Sequence, residues 1–500
     1  MSDRRRVELW DAATSAVVDR HTIEALGVPS SLLMERAALA CAHEVVALRR
    51  GSALAVRVVC GPGNNGADGL AIARQLHGWG VPASVLFATS KGNEAVAFER
   101  RLASAYGVAE RSWDDAAHDG AAIVVDAILG TGSRGGPRGE IAAALAAMRP
   151  WAGPRLAVDL PSGIDPDTGA VYDDAITAQV TVTFGRSKPG LHVTPARARA
   201  GRVVVADIGL VAPASVRPIA ELVDPDAVRS LVHAPAGARH KGERGHVGIE
   251  GGGAGTPGAA VLATLAAFRG GAGLLTVATG DATLRAAVLS RVPEAMFVAP
   301  EAATTVDAWV IGPGLTQPDA QARVAPRWRD DPTPAVWDAG ALEAVEGDCN
   351  ARPRVITPHP GEAARLLARL HGDASWSSAR VQADRLAAAR ALASATGAVV
   401  LLKGAGTILA HGDRVAILPT GGPALATAGS GDVLAGILGA LLARGVAPWT
   451  AACAGAAIHA AVGELAIRRH PATMAGDLVE ALDAVDDALV DDALPQLRLA

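Results

Sequence analysis

The sequence predicts an α/β protein built from two domains, and three observations support this prediction. Apolar runs of strand length alternate with helical patterns along the chain, and Gly-rich loops follow many of these runs. The chain has 500 residues, which favours two or more domains over one. A stretch with two prolines and no periodicity, residues 211–218, interrupts the alternation. We therefore expect domains at residues 1–212 and 223–500, joined by a linker at 213–222.

The composition excludes several classes of protein. Apolar residues make up 50% of the chain and charged residues 19%, which is typical of a globular protein with large cores. A net charge of −5 without a basic cluster argues against nucleic-acid and membrane-surface partners. The four scattered cysteines indicate reduced thiols in the cytoplasm. Residues 445–463 are uncharged, but Pro448 and His459 interrupt them, so we predict buried helices there. The apolar composition also permits an assembly, and we expect a homo-oligomer.

The first polar loop follows an apolar run, Leu54 to Cys60, that we interpret as a strand. Residues 61–69 form a Gly-rich loop, and a helix is expected from Leu70 to Leu76. Strand, Gly-rich loop and helix is the layout of a dinucleotide or phosphate site. The loop differs from the usual Gly-x-Gly-x-x-Gly fingerprint, because it contains two adjacent amides and an acid. These side chains suggest polar recognition as well as close backbone approach.

The same layout recurs twice further along the chain. Residues 122–126 form an apolar run that ends in an aspartate, and the Gly-rich loop 130–136 follows it. Residues 156–159 repeat the pattern and precede the loop 160–165. In an open parallel sheet, loops that follow the strand ends line one crevice. The sequence therefore predicts that these loops lie together.

Three oxygen-bearing side chains, Asn65, Asp126 and Ser162, come just after these strand ends. Amide, carboxylate and hydroxyl oxygens suit a hard cation better than zinc. Each of these residues taken alone is equally compatible with an ordinary turn or cap. Three such loops in this order favour a binding site.

Taken together, these loops resemble the YjeF N-terminal domain, the NAD(P)H-hydrate epimerase family, whose fold is Rossmann-like. The motifs are Gly-Pro-Gly-Asn-Asn-Gly-x-Asp-Gly at 61–69, Asp-x-x-x-Gly-Thr-Gly at 126–132 and Asp-x-Pro-Ser-Gly-Ile-Asp at 159–165. The similarity covers roughly residues 5–210. One departure is Ala67, where the family usually has a second glycine. An alanine there would strain the loop if that position required a positive φ.

The resemblance implies roles for individual residues. Asn65, Asp126 and Ser162 would bind potassium, and Asp159 would be the acid/base that epimerises the substrate. Contacts to the hydrated dinucleotide are implied for Asn64, Asn65, Gly66, Ala67, Asp68, Gly130, Thr131, Gly132, Ser133, Arg134, Gly135, Gly136 and Asp159.

After the linker the strand–helix alternation restarts and predicts a second three-layer α/β domain. A Gly-rich turn at 251–253 and a helix of small residues, Ala259 to Phe268, follow the first strand. The expected strands are Val247 to Ile249, Leu274 to Val277, Trp309 to Ile311, Ala335 to Trp337, Val355 to Thr357 and Val399 to Leu402.

The second domain is organised around the stretch from Thr427 to Gly436. Small residues precede Asp432, and an apolar helix is expected from Val433 to Ala443. The N-terminus of a helix leaves backbone N–H groups unpaired, and they bind anions. An aspartate beside a bound phosphate can accept the proton of an attacking hydroxyl, which makes phosphoryl transfer possible. An ordinary helix cap is the alternative interpretation of Asp432.

Two further strand ends carry polar side chains. Lys403, before a glycine loop, can hold a phosphate as a point charge, or it can be a solvated lysine. His359 lies between two prolines and can form a hydrogen-bonding wall of a pocket, or it can be an exposed turn residue. A magnesium requirement fits phosphoryl transfer, although no acidic pair indicates where the ion would bind.

These segments resemble the NAD(P)H-hydrate dehydratase family, whose fold is ribokinase-like, over about residues 225–490. The motifs are Thr-Pro-His-Pro-Gly-Glu at 357–362, Lys-Gly-x-Gly-Thr at 403–407 and Gly-Ser-Gly-Asp at 429–432. Two residues depart from the family pattern: Gly253 replaces a common serine, and Gly340 replaces the second acid of an Asp-Ala-Asp motif that begins at Asp338. The implied nucleotide contacts are Lys403, Gly404, Ala405, Gly406, Thr407 and Gly431. The implied contacts to the hydrate are Ala259, Gly314, His359 and Asp432.

Together the two resemblances imply a bifunctional enzyme that repairs nicotinamide nucleotides. The first domain would interconvert the R and S forms of hydrated NADH and NADPH (NADHX and NADPHX), with K⁺ as cofactor. The second would dehydrate the S form at the expense of ADP or ATP, with Mg²⁺, by phosphorylating the ring hydroxyl and eliminating phosphate. The alternative is a ribokinase-like kinase of a small alcohol fused to a non-catalytic dinucleotide-binding module. The donor nucleotide and the route of epimerisation stay open.

Overall fold

The computed structural model describes residues 7–118, 122–223, 240–485 and 498–499, together with positions 228 and 231. The chain forms two compact units, Met1–Glu221 with Gln496–Ala500, and Leu222–Pro495. Strand β9 spans Ala220–Leu222 and therefore begins inside the segment that the sequence suggests as a linker. Strand β19, Arg498–Leu499, pairs with strand β8, Arg202–Ala206, of the first unit.

The first unit contains a parallel sheet with strand order β4-β3-β2-β5-β6-β7-β8-β19. The order reverses between β2 and β5, and ligands bind at such a switch point in open α/β sheets. Strand β1 lies outside this sheet and pairs antiparallel with β9. The remaining strands are β1 Glu8–Leu9, β2 Val56–Cys60, β3 Ala83–Phe87, β4 Ala109–Glu110, β5 Ile123–Ala127, β6 Arg155–Val158 and β7 Val180–Phe184.

Helices cover both faces of this sheet. Val58 and Val125 pack in one core with the helices α2 (Ser30–Arg49) and α3 (Asn64–Gly78). Val59 and Val124 pack in a second core with the helix α6 (Gly139–Met148). Side chains alternate between the faces with a period of two, so the continuous apolar runs of the sequence fill both layers. The helices are α1 Ala12–Arg20, α2 Ser30–Arg49, α3 Asn64–Gly78, α4 Glu94–Ala105, α5 Trp113–His118, α6 Gly139–Met148 and α7 Arg197–Ala200.

Helix α3 begins earlier than the sequence analysis predicts. It starts at Asn64 and not at Leu70, so the polar segment 64–68 forms the first helical turn and not a loop. Small residues allow this turn to approach the strand ends closely. Ala67 is fully buried in the helix and is absent from the residues with positive φ. The departure at Ala67 therefore causes no backbone strain.

The second unit contains a larger sheet whose strands follow the order β18-β17-β16-β15-β14-β13-β10-β11-β12. The pairs from β12 to β16 are parallel, whereas β16, β17 and β18 are antiparallel. The predicted bounds of two strands, Ala335–Trp337 and Val399–Leu402, are confirmed. The strands are β10 His246–Glu250, β11 Leu274–Ala278, β12 Met296–Val298, β13 Ala308–Ile311, β14 Ala335–Trp337, β15 Arg354–Ile356, β16 Val399–Leu402, β17 Thr407–His411 and β18 Arg414–Leu418.

The apolar helix that contains Asp432 is α15, Ser430–Ala443. It packs against the helix of small residues, α8, Pro257–Arg269. Helix α15 begins at Ser430, so Asp432 lies in its first turn. Helix α16 is long and apolar enough to cross a membrane, but 72% of its most apolar stretch is buried inside the protein. The helices of this unit are α8 Pro257–Arg269, α9 Ala282–Leu289, α10 Pro318–Val324, α11 Arg327–Asp330, α12 Pro360–His371, α13 Ser378–Ala383, α14 Arg385–Thr396, α15 Ser430–Ala443, α16 Pro448–Arg469 and α17 Ala475–Ala481.

Candidate active sites

A cavity of about 510 Å³ lies at the switch point of the first unit. The strand ends bring several of the residues singled out in the sequence to its wall, as expected for a parallel sheet. A β-carbon on Gly130 would lie 3.0 Å from Asp159 Oδ2 and 3.3 Å from the Asn65 amide, so these three residues are neighbours. The residues of the sequence-based set that line the cavity are Asn64, Asn65, Asp68, Gly130, Thr131, Gly132, Ser133 and Asp159.

Asp159 is buried at the centre of a hydrogen-bond network. Its Oδ2 accepts bonds from the backbone N–H of Thr131 (2.7 Å) and from Thr131 Oγ1 (2.5 Å). Its Oδ1 accepts bonds from Thr183 Oγ1 (3.0 Å) and from Lys188 Nζ (3.1 Å). Asp159 also has a φ of 65°, a left-handed conformation that is uncommon outside glycine and costs energy. The fold therefore fixes the position of this carboxylate and holds its backbone in a left-handed conformation.

Lys188 is a site residue that the sequence analysis missed. It is almost completely buried, and its Nζ donates to Asp159 Oδ1, to Thr183 Oγ1 (2.8 Å) and to the carbonyl of Phe184 (3.1 Å). Burial raises the pKa of Asp159, but Lys188 and the Thr131 bonds outweigh it and hold the pKa below its ordinary value. Lys188 follows the end of β7, so the strand-end argument applied to the next strand would have found it.

Two other acids lie on the wall of the same cavity, and their pKa values shift in the opposite direction. Burial, followed by the charge of Asp159, raises the pKa of Asp68 well above its usual range. Burial also raises the pKa of Asp19 in α1, although the charge of Lys188 opposes this effect. The cavity thus holds one carboxyl that stays ionised beside two that retain protons more readily. Trp10 and Phe184 add aromatic surface to the wall.

Five residues of the sequence-based set lie outside the cavity wall. Gly66 and Ala67 are buried in the first turn of α3. Arg134 donates to the carbonyls of its own loop, and Gly136 faces Tyr172. Gly135 lines a separate, much smaller cavity. Their implied substrate contacts therefore stay predictions.

The expected cation ligands lie beside the large cavity. Asp126 Oδ1 accepts a bond from Ser162 Oγ (2.7 Å), and Asp126 Oδ2 accepts one from the Ser162 N–H (2.7 Å). Asp126 is fully buried, and burial raises its pKa to about 6 despite these bonds. The Asn65 Nδ2 is buried without a partner in the part of the chain that the structure describes. Asp126 forms no ion pair with a described residue, so its buried carboxylate is the group of this set that favours a bound cation; Asn65 would have to contribute its Oδ1, because its Nδ2 is a donor.

In the second unit, Asp432, Lys403 and Asp338 come together at the N-terminus of α15. Lys403 Nζ donates to Asp338 Oδ1 at 2.7 Å. A β-carbon on Gly431 would lie 3.3 Å from Lys403 Nζ and 3.7 Å from Asp338 Oδ2. Burial and the charge of Asp338 raise the pKa of Asp432 to about 6, although Lys403 lowers it. A carboxyl with this pKa is suited to accept a proton near neutral pH.

The segment 357–362 supports this cluster from the adjacent strand end. Thr357 Oγ1 donates to Asp338 Oδ1 (2.7 Å), and Glu362 lies 3.9 Å from Lys403 Nζ. His359 caps α12: its Nδ1 accepts bonds from the N–H groups of Gly361 and Glu362, and its side chain is half exposed. His359 therefore has a structural role at the helix end and also presents its ring to solvent beside the cluster.

Ala259 and Gly314 form a second group with Gly253. A β-carbon on Gly314 would lie 2.9 Å from Ala259 Cβ, and Thr256 Oγ1 donates to the Gly314 carbonyl at 2.8 Å. Gly253 has the same neighbours, since a β-carbon there would lie 3.2 Å from the Gly314 carbonyl oxygen. Among the described residues, no hydrogen bond or ion pair joins this group to Asp432.

The structure explains one of the two departures in the second domain. A β-carbon on Gly340 would lie 1.7 Å from the carbonyl oxygen of Leu315, so any side chain there would displace the backbone. The second acid of an Asp-Ala-Asp pattern cannot be accommodated in this geometry. Asp338 is fully buried and keeps its contacts to Lys403 and Thr357. This chain therefore retains only the first acid of the pattern.

Two family models match the chain. A model described as NAD(P)H-hydrate dehydratase matches residues 247–483, and one described as YjeF-related protein N-terminus matches residues 30–190. The bifunctional NAD(P)H-hydrate repair enzyme of Moorella thermoacetica is 37% identical over 95% of this chain and 96% of its own length. The chain belongs to the family of bifunctional NAD(P)H-hydrate repair enzymes.

A second relative extends over nearly the full length, and a solved structure is similar to about half of the chain. The bifunctional NAD(P)H-hydrate repair enzyme of Escherichia coli is 34% identical over 97% of this chain and 95% of its own length. A solved Bacillus subtilis structure, an ADP/ATP-dependent NAD(P)H-hydrate dehydratase co-crystallised with ATP and Mg²⁺, is 29% identical with a TM-score of 0.49. The similar region covers 54% of this chain and 98% of the Bacillus subtilis chain. Membership of the repair-enzyme family therefore rests on relatives that share both halves of the chain.

Proposed function

We propose that this protein repairs hydrated NADH and NADPH with two active sites, an epimerase in the first unit and a nucleotide-dependent dehydratase in the second. The observation that carries the proposal is that each unit holds an aspartate beside a lysine at the strand ends of its sheet, and that the two aspartates have opposite pKa shifts. Lys188 keeps Asp159 ionised in one unit, and burial raises the pKa of Asp432 to about 6 in the other. Each environment suits a different proton transfer.

In the second unit, Asp432 accepts the proton of the ring hydroxyl as its oxygen attacks the terminal phosphate of ADP or ATP. The N–H groups at the start of α15 and the Lys403 ammonium stabilise the charge that develops on the transferring group. The ring nitrogen lone pair then expels phosphate from the neighbouring carbon. Loss of a proton from the next ring carbon restores the double bond. The nucleotide thus makes the hydroxyl a leaving group.

Mg²⁺, when bound, neutralises charge on the phosphates during transfer. Its candidate ligand is Asp338, because both hydrogen bonds from Thr357 and Lys403 go to Oδ1 and Oδ2 lies near Gly431 at the start of α15. The nucleotide contacts proposed for residues 403–407 follow from the position of Lys403 beside Gly431.

In the first unit, Asp159 moves a proton on the hydrated ring bound in the cavity. Thr131 and Thr183 fix both carboxylate oxygens, and Lys188 balances the charge. Removal of the hydroxyl proton allows ring opening, in which the carbon–nitrogen bond breaks and the ring nitrogen takes up a proton; return of a proton to the hydroxyl instead allows water to leave and to add again to the resulting iminium ion. Either route interconverts the epimers, because the ring closes or the water adds from either face. The aromatic wall of Trp10 and Phe184 suits the flat part of the substrate.

We place K⁺ at Asn65, Asp126 and Ser162, where it would balance the buried Asp126 carboxylate and hold the loops in place. We expect KCl to raise the Tm of the first unit relative to an equal concentration of tetramethylammonium chloride, since a ligand that binds only the folded state stabilises it. Because the pKa of Asp126 is about 6 in this structure, the K⁺ effect should be larger at pH 8 than at pH 5.

Differential scanning calorimetry in matched salts measures this effect, and Asp126→Asn should remove it. Asp165→Asn is a matched control, because Asp165 caps a nearby turn through the N–H groups of residues 167 and 168. A K⁺ effect that survives in Asp126→Asn would place the cation elsewhere.

The proposed partners are the small-molecule substrates NADHX and NADPHX. The cysteines in the described chain are free thiols, which suits the reducing cytoplasm that we propose as the location. The expected homo-oligomer stays a prediction.

The test of the overall function is recovery of dihydronicotinamide absorbance from NADHX with ADP and with ATP in parallel, with release of inorganic phosphate measured in the same samples. The repair reaction yields one phosphate per restored nicotinamide. The alternative, a kinase of a small alcohol, would give a stable phosphorylated product, no free phosphate and no recovery of absorbance.

A further inference from the structure

Arg385 is a buried cation in contact with residues 403–407, the loop proposed to bind the nucleotide. It is the first residue of α14, and only 2% of its surface is exposed. Both features disfavour a cation, because burial removes hydration and a helix N-terminus carries positive partial charge. Burial lowers the pKa of Arg385 to about 10, so the guanidinium still keeps its proton at neutral pH. The chain therefore retains a positive charge where it is doubly unfavourable.

The guanidinium is bound mainly by the loop between β16 and β17. Arg385 Nη2 donates to the carbonyl oxygens of Leu402 (3.2 Å), Lys403 (3.2 Å) and Gly406 (3.3 Å). Its Nη1 donates to Gln382 Oε1 (2.8 Å), and its Nε is buried without a partner. Within the described parts of the chain, no carboxylate forms an ion pair with it. Among the described residues, its charge is therefore compensated by neutral groups: three backbone carbonyls and the side-chain amide of Gln382.

These bonds determine which backbone groups of the loop point away from Arg385. In a trans peptide the N–H points away from the carbonyl of the same unit, so the inward Lys403 carbonyl directs the Gly404 N–H outward. Gly404 has a φ of +133°, and a β-carbon there would lie 2.9 Å from Arg385 Nη1. Only glycine fits this conformation around the guanidinium. The residue before it, Lys403, carries the ammonium that reaches Asp338.

We propose that Arg385 is a positioning residue for the polyphosphate of the nucleotide. Its hydrogen bonds fix the backbone of residues 403–406 on the side away from the nucleotide, and its charge adds positive potential to the loop that faces the phosphates. This proposal rests on the nucleotide-binding function proposed for the loop. The anion that balances the buried charge is then the phosphate group of the ligand.

Arg354 provides a matched control in the same unit. It is 1% exposed, and burial lowers its pKa to about 10, as for Arg385. Its guanidinium also donates to backbone carbonyls, but none of them belongs to residues 403–407. These carbonyls are those of Arg327, Trp328, Asp331 and Thr333.

The experiment compares Arg385→Gln, Arg385→Lys and Arg354→Lys by the kcat and the nucleotide KM of dehydration, with epimerisation measured on the same preparations. Arg385→Gln should raise the nucleotide KM about 10- to 100-fold, as expected when hydrogen bonds from a charged group are lost. Arg385→Lys should recover part of this loss, because it restores the charge without the three-carbonyl geometry. Arg354→Lys should lower Tm and leave the nucleotide KM unchanged.

Nucleotide KM values within about twofold of the parent in both Arg385 variants would overturn the proposal. An equal rise in Arg354→Lys would also overturn it, because any buried arginine would then have the same effect. If Arg385→Gln does not fold, Arg385→Lys decides between these outcomes. Lys403→Met separates this inference from the proposed function. If Lys403→Met raises KM and the Arg385 variants do not, only the inference fails; if Lys403→Met also leaves KM unchanged, the loop does not bind the nucleotide.

Discussion

Asp432→Asn is expected to lower the rate of nucleotide-dependent dehydration about 10²- to 10⁴-fold, the usual contribution of a general base. In the parent protein, kcat/KM should be level above pH 7 and fall as the pH drops through about 6, because the base acts as a carboxylate and its pKa is raised to about 6. Asn keeps the size of the side chain but cannot accept the proton. Epimerisation on the same preparation should be unchanged.

Stability distinguishes loss of the base from loss of the fold. The pKa of Asp432 in the folded protein lies above the usual aspartate value, so its ionisation destabilises the fold as the pH rises from about 4 to about 6. At pH 8, Asp432→Asn should therefore have a Tm equal to or above that of the parent. Full dehydratase activity in Asp432→Asn, or a pH profile without a fall near pH 6, would contradict the role of this residue.

Asp159→Asn is expected to lower the rate of epimerisation by a similar factor, about 10²- to 10⁴-fold, and to leave dehydration of the S form unchanged. The amide still accepts bonds from Thr131, but it carries no charge and leaves Lys188 buried without a counter-ion. Chromatographic separation of the two epimers measures their interconversion directly. Enzymatic equilibration at the parental rate in Asp159→Asn would refute the assignment.

Lys188→Met tests the electrostatic half of this site. Because Lys188 is the main group that lowers the pKa of Asp159, its loss should move the acidic limb of the epimerase pH profile to higher pH. Lys188→Arg should restore part of the parental profile. A Lys188→Met protein with a lower rate but an unchanged profile would indicate a packing role for the lysine instead.

The sequence predicts which candidate residues lie close together, because strand-end positions follow from a local pattern. The apolar runs that end in Asp126 and Asp159 become neighbouring strands in a parallel sheet. The loops that follow parallel neighbouring strands lie at the same edge of the sheet, so these two loops meet. The same holds for Lys403 and Asp432, which the Gly-rich segments place at a strand end and at a helix start. These residues could be found without knowledge of long-range contacts.

The residues that the sequence did not reveal depend on such contacts. Lys188 follows the end of a strand, so its position near the site could have been predicted, but its bond to Asp159 across 29 positions of the chain depends on packing. The need for glycine at position 340 comes from the carbonyl of Leu315, which belongs to a different loop. In the sequence, Arg385 is an ordinary residue at the start of a predicted helix. Its role follows only from its hydrogen bonds to the carbonyls of residues 402–406. Such roles follow from packing and not from local pattern.

Trans-complementation tests the central claim, that the chain carries two independent active sites, most directly. The substrate is a mixture of the R and S forms of NADHX, and recovery of dihydronicotinamide absorbance is followed with ADP or ATP. Asp159→Asn alone should convert the S form quickly and then slow to the rate of spontaneous epimerisation. Asp432→Asn alone should convert neither form. A mixture of the two variants should convert both forms completely at a rate close to that of the parent. A mixture that stalls at the same point as Asp159→Asn alone would show that the first unit is not an epimerase.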